Sequence, residues 1–220
     1  MRIKIFLLFL LLGNSLAYAH DVDAADHEFL LSGGLWAYIW IGAKHMVTGY
    51  DHLLFLVGVV FYLSKLSDII KFISAFTLGH SITLITATFL QIEVNEYLID
   101  AVIGFSVFYK GFENLGGFET IRCKAPSLML MVTLFGLIHG LGLSARLQSL
   151  HLGDEKVLLK ILSFNIGVEL GQIAALIPIV YFIKYLKARK VYDSLYKAIN
   201  SYLLLAGLVL VIYQLYRYFV

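Results

Sequence analysis

His45-Met-Val-Thr-Gly-Tyr-Asp51-His52-Leu53-Leu54-Phe55-Leu56-Val57 sets two imidazoles and a carboxylate directly against an uninterrupted apolar run. Ionisable side chains at membrane depth are costly and usually mark an ion or proton path. Imidazole with carboxylate also suits a divalent transition metal. The stretch therefore reads as a metal site at the outer mouth of a membrane protein.

The rest of the composition agrees. The chain has 220 residues, 60% hydrophobic and 15% charged, with mean hydropathy +0.84. A soluble domain carries about 25% charged residues. Several apolar segments approach the ~20 residues a helix needs to cross a bilayer. The predicted fold is all-α, a polytopic transmembrane helix bundle whose principal partner is the lipid bilayer. Basic residues fall between spans, where topology accounts for them, so no nucleic-acid partner is expected. The single cysteine, Cys123, excludes a disulfide framework within one chain.

Residues 1–19 read as a signal peptide. Arg2 and Lys4 are its charged start, Ile5 to Leu12 its apolar run, and Ala17-Tyr18-Ala19 its cleavage site. The alternative is an uncleaved signal anchor. Residues 20–220 form a single transmembrane domain that opens with an acidic tail, 20–29, containing Asp21, Asp23, Asp26 and Glu28. Six spans are expected, near Tyr50–Leu63, Ile69–Leu90, Tyr97–Asn114, Ser127–Leu147, Val157–Leu186 and Tyr196–Phe219. Leu30 to Val47 is apolar as well, and is expected to be a re-entrant or interfacial helix on the outer side.

Lys and Arg mark cytoplasmic loops. Lys65 and Lys71 follow the first span, and Lys110, Arg122 and Lys124 surround the loop after the third. Lys184, Lys187, Arg189, Lys190 and Lys197 crowd the loop after the fifth, whereas the loop after the second holds Glu93 and Glu96. Both termini are then periplasmic, in a bacterial inner membrane.

Polar residues inside the spans fall into four groups. They are His45-x5-Asp51-His52, Phe76-x3-His80-Ser81-x-Thr83, Phe135-Gly136-x2-His139-Gly140-x-Gly142 and Asn165-x-Gly167-x-Glu169-x-Gly171-Gln172. The topology allows all four to meet in one layer between the midplane and the outer face. His45, Asp51, His52, His80 and His139 are the candidate metal ligands. Several unpaired polar groups in lipid would cost several kcal/mol each, which favours a common partner over five unrelated structural roles. Gly136-x3-Gly140 and Gly167-x3-Gly171 permit close helix packing. A short loop joins those two helices, so they are expected to pack together and bring His139 near Glu169.

These motifs, in this order, resemble the HupE/UreJ family of membrane proteins, and the likeness covers almost the whole chain after residue 19. Ile99-Asp100 to Glu113-Asn114 is similar to the family's third span. The resemblance implies a cleaved signal, about six spans and a secondary nickel or cobalt permease associated with hydrogenase or urease maturation. Two departures stand out. Asp100 occupies a position where Glu is expected, and the His139 segment lacks a second upstream His.

The leading functional expectation is uptake of a divalent metal, nickel or cobalt, as substrate. His80 would receive the ion after Asp51 and His52, and Glu113 and Asn114 would line the inward exit. Ser81, Asp100, Asn165 and Glu169 are further polar residues along the path. The alternative is an intramembrane zinc hydrolase using the same His and Asp residues with Ser81, since zinc with one open position activates water. A metal-sensing receptor is a third reading. Homo-oligomerisation is compatible with all three. Cleavage after Ala19 would leave His20 with a free α-amino group, a bidentate chelate for metal capture; a solvated tail is the plainer alternative.

Overall fold

A computed structural model of the chain describes residues 24–63, 65–149 and 156–220. The signal peptide and His20 lie outside the described residues. Every described element is helical, as composition predicts: α1 (Ala24–Ser32), α2 (Gly34–Thr48), α3 (Tyr50–Tyr62), α4 (Leu66–Phe89), α5 (Glu96–Asn114), α6 (Gly117–Thr120), α7 (Leu128–Ser149), α8 (Val157–Lys187) and α9 (Tyr192–Phe219). Among the described residues, four helices are long and apolar enough to cross a membrane: Ser67–Phe89, Leu128–Gln148, Val157–Lys187 and Tyr192–Phe219. Helix α5 carries Glu96, Asp100, Lys110 and Glu113. It nevertheless lies along α9, from Asp100 beside Gln214 to Asn114 beside Asn200.

Three tight pairs build the bundle: α2 with α8, α4 with α7, and α5 with α9. Glycine makes each pair possible. A Cβ at Gly167 would meet the Ile39 carbonyl, and one at Gly42 the Phe164 carbonyl. In the second pair, Gly136 and Gly140 face the Phe76 and His80 carbonyls. In the third, Gly207 lies on the Phe108 backbone. Backbones that close exchange dispersion and Cα–H···O contacts, which drive helix association where lipid removes the hydrophobic effect. The two GxxxG segments therefore do not pack on each other, contrary to expectation. Small residues define a close-packing face without specifying its partner.

These contacts also give direction. Along α2 and α8, Tyr38 meets Lys160, Gly42 meets Phe164, and Met46 meets Gly171. The two helices are parallel. Helix α3 continues the same way, with His52 beside His139, Phe55 beside Phe135, and Phe61 beside Tyr196. The end of the bundle that holds Asp100 and Arg146 is termed upper, and the end that holds Asn114 and Tyr196 lower.

The stretch expected as a re-entrant or interfacial helix thus runs down the flank of α8 and hands over to α3 through Gly49. Gly49 has ψ of 105°, outside the helical range, and its N–H still bonds the His45 carbonyl. Helix α2 exposes Trp36 and Trp40. No described side chain of α3 is exposed. At about 20 Å, from 13 residues, α3 is too short to cross ~30 Å of hydrocarbon alone. Hydropathy registers the length of an apolar run but not its direction, so the sequence separates what the structure joins.

The tail folds back. Gly34 has φ of +59°, a left-handed turn that glycine adopts without a Cβ penalty. It reverses the chain so that Asp26 on α1 pairs with Lys44 on α2 at 2.7 Å.

Candidate metal centre

The break at Gly49 positions the site. Asp51 and His52 occupy the first turn of α3, and His45 the last turn of α2. The His45 and His52 rings stand 5.1 Å apart, and His52 and His139 4.8 Å apart. Asp51, His52 and His139 are buried, and each offers a ligand atom within 4.8 Å of the others. Bonds of about 2.0–2.2 Å in a tetrahedral site put ligand atoms roughly 3.4 Å apart. Side-chain rotation covers that difference.

Hydrogen bonds prepare two of the three ligands. His139 Nδ1 lies 2.6 Å from the Phe135 carbonyl. A carbonyl only accepts, so Nδ1 carries the proton and Nε2 keeps its lone pair. That Nε2 is buried without a hydrogen-bond partner, the arrangement of a metal-ligating histidine oriented by its other nitrogen. His52 Nδ1 faces Asp51 Oδ1 at 2.9 Å, and the same oxygen accepts the His52 N–H at 2.9 Å. Asp51 thereby accepts the His52 N–H within the first turn of α3 and holds the His52 ring.

The other predicted residues divide into groups. His80 is 1% exposed, and both its ring nitrogens are buried without partners. It stands outside the three-residue cluster, and the Phe76 ring contacts both, 6.2 Å from the His80 ring and 4.9 Å from His139. Asn165 is also buried, and neither of its amide atoms has a partner; the neighbouring Phe164 ring lies 6.0 Å from His45. Ser81 donates to the Thr77 carbonyl of its own helix at 2.7 Å. Asp100 accepts two bonds from Arg146, at 2.8 and 3.0 Å.

Glu113 and Asn114 sit at the lower end, away from the cluster. Glu113 pairs with Lys110, and both side chains are almost fully buried. Asn114 donates to the Gly58 carbonyl and to Asn200. Glu169 corrects an expectation, because it is exposed. It borders a groove of about 450 Å³ between α4 and α8, beside Ile73 and Ile173. The reason is the pairing above: α8 turns its glycines to α2, while His139 lies on α7, which packs on α4.

Sequence reasoning missed three contributors. Phe76 packs its ring against both His80 and His139. Thr77 donates to Gln172 at 2.8 Å inside the bundle, tying α4 to α8; both stood within the quoted motifs. Arg146 lies seven residues after His139, on the same face of α7, and its position at the acidic end was the available signal.

Small voids flank the cluster. The upper one, about 10 Å³, is bordered by His45, His52, His139, Asp100 and Arg146. It has room for about one water-sized particle. The lower one, about 20 Å³, is bordered by His52, Phe55, Leu56, Val59 and Phe76. The cluster is thus closed by an ion pair above and by apolar side chains below.

Neither a curated protein nor a solved structure matches the chain. A family model described as HupE / UreJ protein matches residues 24–220. That match spans every helix that builds the site, and the chain belongs to the HupE/UreJ family.

Proposed function

We propose that this chain is a secondary permease for a divalent transition metal, nickel or cobalt, moving the ion from the periplasm into the cell. The observation that carries the reading is the buried Asp51–His52–His139 cluster at the break between α2 and α3. Broken helices at membrane depth are tolerated where they line a binding site, and transporters place substrate sites there. Family membership supports the substrate class.

In this reading α2 and α3 make one discontinuous crossing, and α4, α5, α7, α8 and α9 make five more. The cations of the lower end then face the cytoplasm, and both termini are periplasmic. Asp51 and neutral imidazoles replace part of the ion's hydration shell. His80 offers a second, weaker station past Phe76. Conduction needs binding firm enough to admit the ion and loose enough to release it, which two adjacent stations provide. The apolar void below His52 must widen for the ion to leave.

The hydrolase alternative gains nothing from Ser81, whose hydroxyl is engaged by its own helix. Accumulation of nickel, cobalt and zinc in cells expressing the chain tests the proposal. Accumulation of nickel or cobalt that disappears in D51N and H52A, with both variants present in the membrane, is the expected result. A stoichiometric zinc with no flux would favour the hydrolase.

A further inference from the structure

We propose that Arg146 is the upper gate of the metal site, holding the Asp100 carboxylate until an arriving divalent cation displaces the guanidinium towards Glu96. The inference rests on the permease reading and extends it to a residue outside the ligand set.

Four observations carry it. Arg146 clamps Asp100 through two hydrogen bonds of 2.8 and 3.0 Å to its two oxygens. The two side chains are only 14% and 12% exposed. The pair borders the same small void as His45, His52 and His139. Arg146 also stands two turns above His139 on α7, which fixes the guanidinium over the ligands.

A further observation supplies a second position for the gate. Glu96 precedes Asp100 by one turn on α5, and its carboxylate is 3.7 Å from Arg146 Nε. Glu96 is 45% exposed. Residues four apart on a helix are neighbours, so a guanidinium can pass from one carboxylate to the other by side-chain rotation. Gln214 Nε2, 3.4 Å from Asp100, can hold that carboxylate meanwhile.

The electrostatics set the direction. With Arg146 on Asp100, a positive charge overlooks the site and the nearest additional carboxylate is taken. A divalent cation in the void attracts Asp100 and repels the guanidinium. Both effects move Arg146 outward to Glu96. Departure of the ion to His80 lets Arg146 return, closing the upper side behind it. A monovalent cation exerts half the charge and competes less well for Asp100, so the gate also favours divalent ions.

The test is equilibrium binding of Ni2+ alone to the purified full chain in detergent. R146Q is expected to bind about tenfold tighter than wild type, since it removes the opposing charge and releases a carboxylate, an effect of about 1.4 kcal/mol. R146K keeps a charge at the site and is expected to stay closer to wild type than R146Q. Should R146Q not fold, the same sign is read by comparing D100N/R146Q with D100N, where the double variant is expected to bind tighter. A merely structural arginine would give weaker binding or no change on removal. Wild-type binding that is lost in H52A, together with R146Q no tighter than wild type, overturns the gate and leaves the permease reading standing. Wild-type binding that is absent, or unaffected by H52A, overturns that reading and the gate with it.

Discussion

Replacing His80 with leucine should make the metal-free protein more stable while impairing transport. His80 is 1% exposed, and both ring nitrogens are buried without a hydrogen-bond partner. A neutral imidazole carries one donor and one acceptor. Leaving such a group unmade costs about 1–3 kcal/mol. Leucine keeps apolar bulk and removes both atoms. It forfeits the ring contact with Phe76, whose centroid is 6.2 Å away, worth about 0.5–1.5 kcal/mol. The central values leave a net gain of about 1 kcal/mol. For a chain of this size that is a rise of roughly 2–4 °C in the unfolding midpoint. Thermal unfolding of H80L and wild type in detergent with a chelator measures it, and metal accumulation in cells measures the functional loss, expected to be at least about tenfold if the second station is needed. An H80L protein that melts at or below wild type without metal would refute the reasoning. It would mean that the imidazole serves the fold and that its nitrogens are satisfied.

The remaining expectations concern packing and ligation. E113A removes the carboxylate partner of the buried Lys110 and should cost about 3–5 kcal/mol, with the double variant K110M/E113L recovering most of it; a denaturation midpoint close to wild type for E113A would contradict the pair's role. G136L places side-chain atoms on the Phe76 backbone carbonyl and should lower stability by about 1–3 kcal/mol or prevent folding, read as the yield of monodisperse protein in detergent. Ni2+ at about 100 times its dissociation constant should stabilise wild type by about 2.7 kcal/mol. H139A should lose that increment, because Nε2 of His139 is the prepared ligand atom.

Much of this was legible in the sequence, and the failures share a cause. Composition and apolar run length are sums along the chain, so they identify a helical membrane protein reliably. The structure sets Asp51 and His52, at the head of the apolar run, on one helical turn, with His139 close enough to form a candidate metal cluster with them. Partner choice is different, because it depends on which faces meet in space. The glycines around Glu169 pointed to close packing, but the helix they receive is α2 rather than α7. Glu169 is exposed for that reason. The helix pair broken at Gly49 reads in sequence as two separate elements, since neither half alone has the length of a span. Arg146 does not stand out in the sequence, because its significance comes from Asp100 on another helix.

In the proposed mechanism the Asp51–His52–His139 cluster carries a metal ion across the membrane. The most direct measurement is radioactive nickel flux into proteoliposomes containing only the purified chain, with H52A reconstituted in parallel. Saturable flux by wild type and background flux by H52A, at equal incorporation, is the predicted result. Equal flux by the two proteins, or none by wild type under an imposed gradient of nickel, would contradict the account.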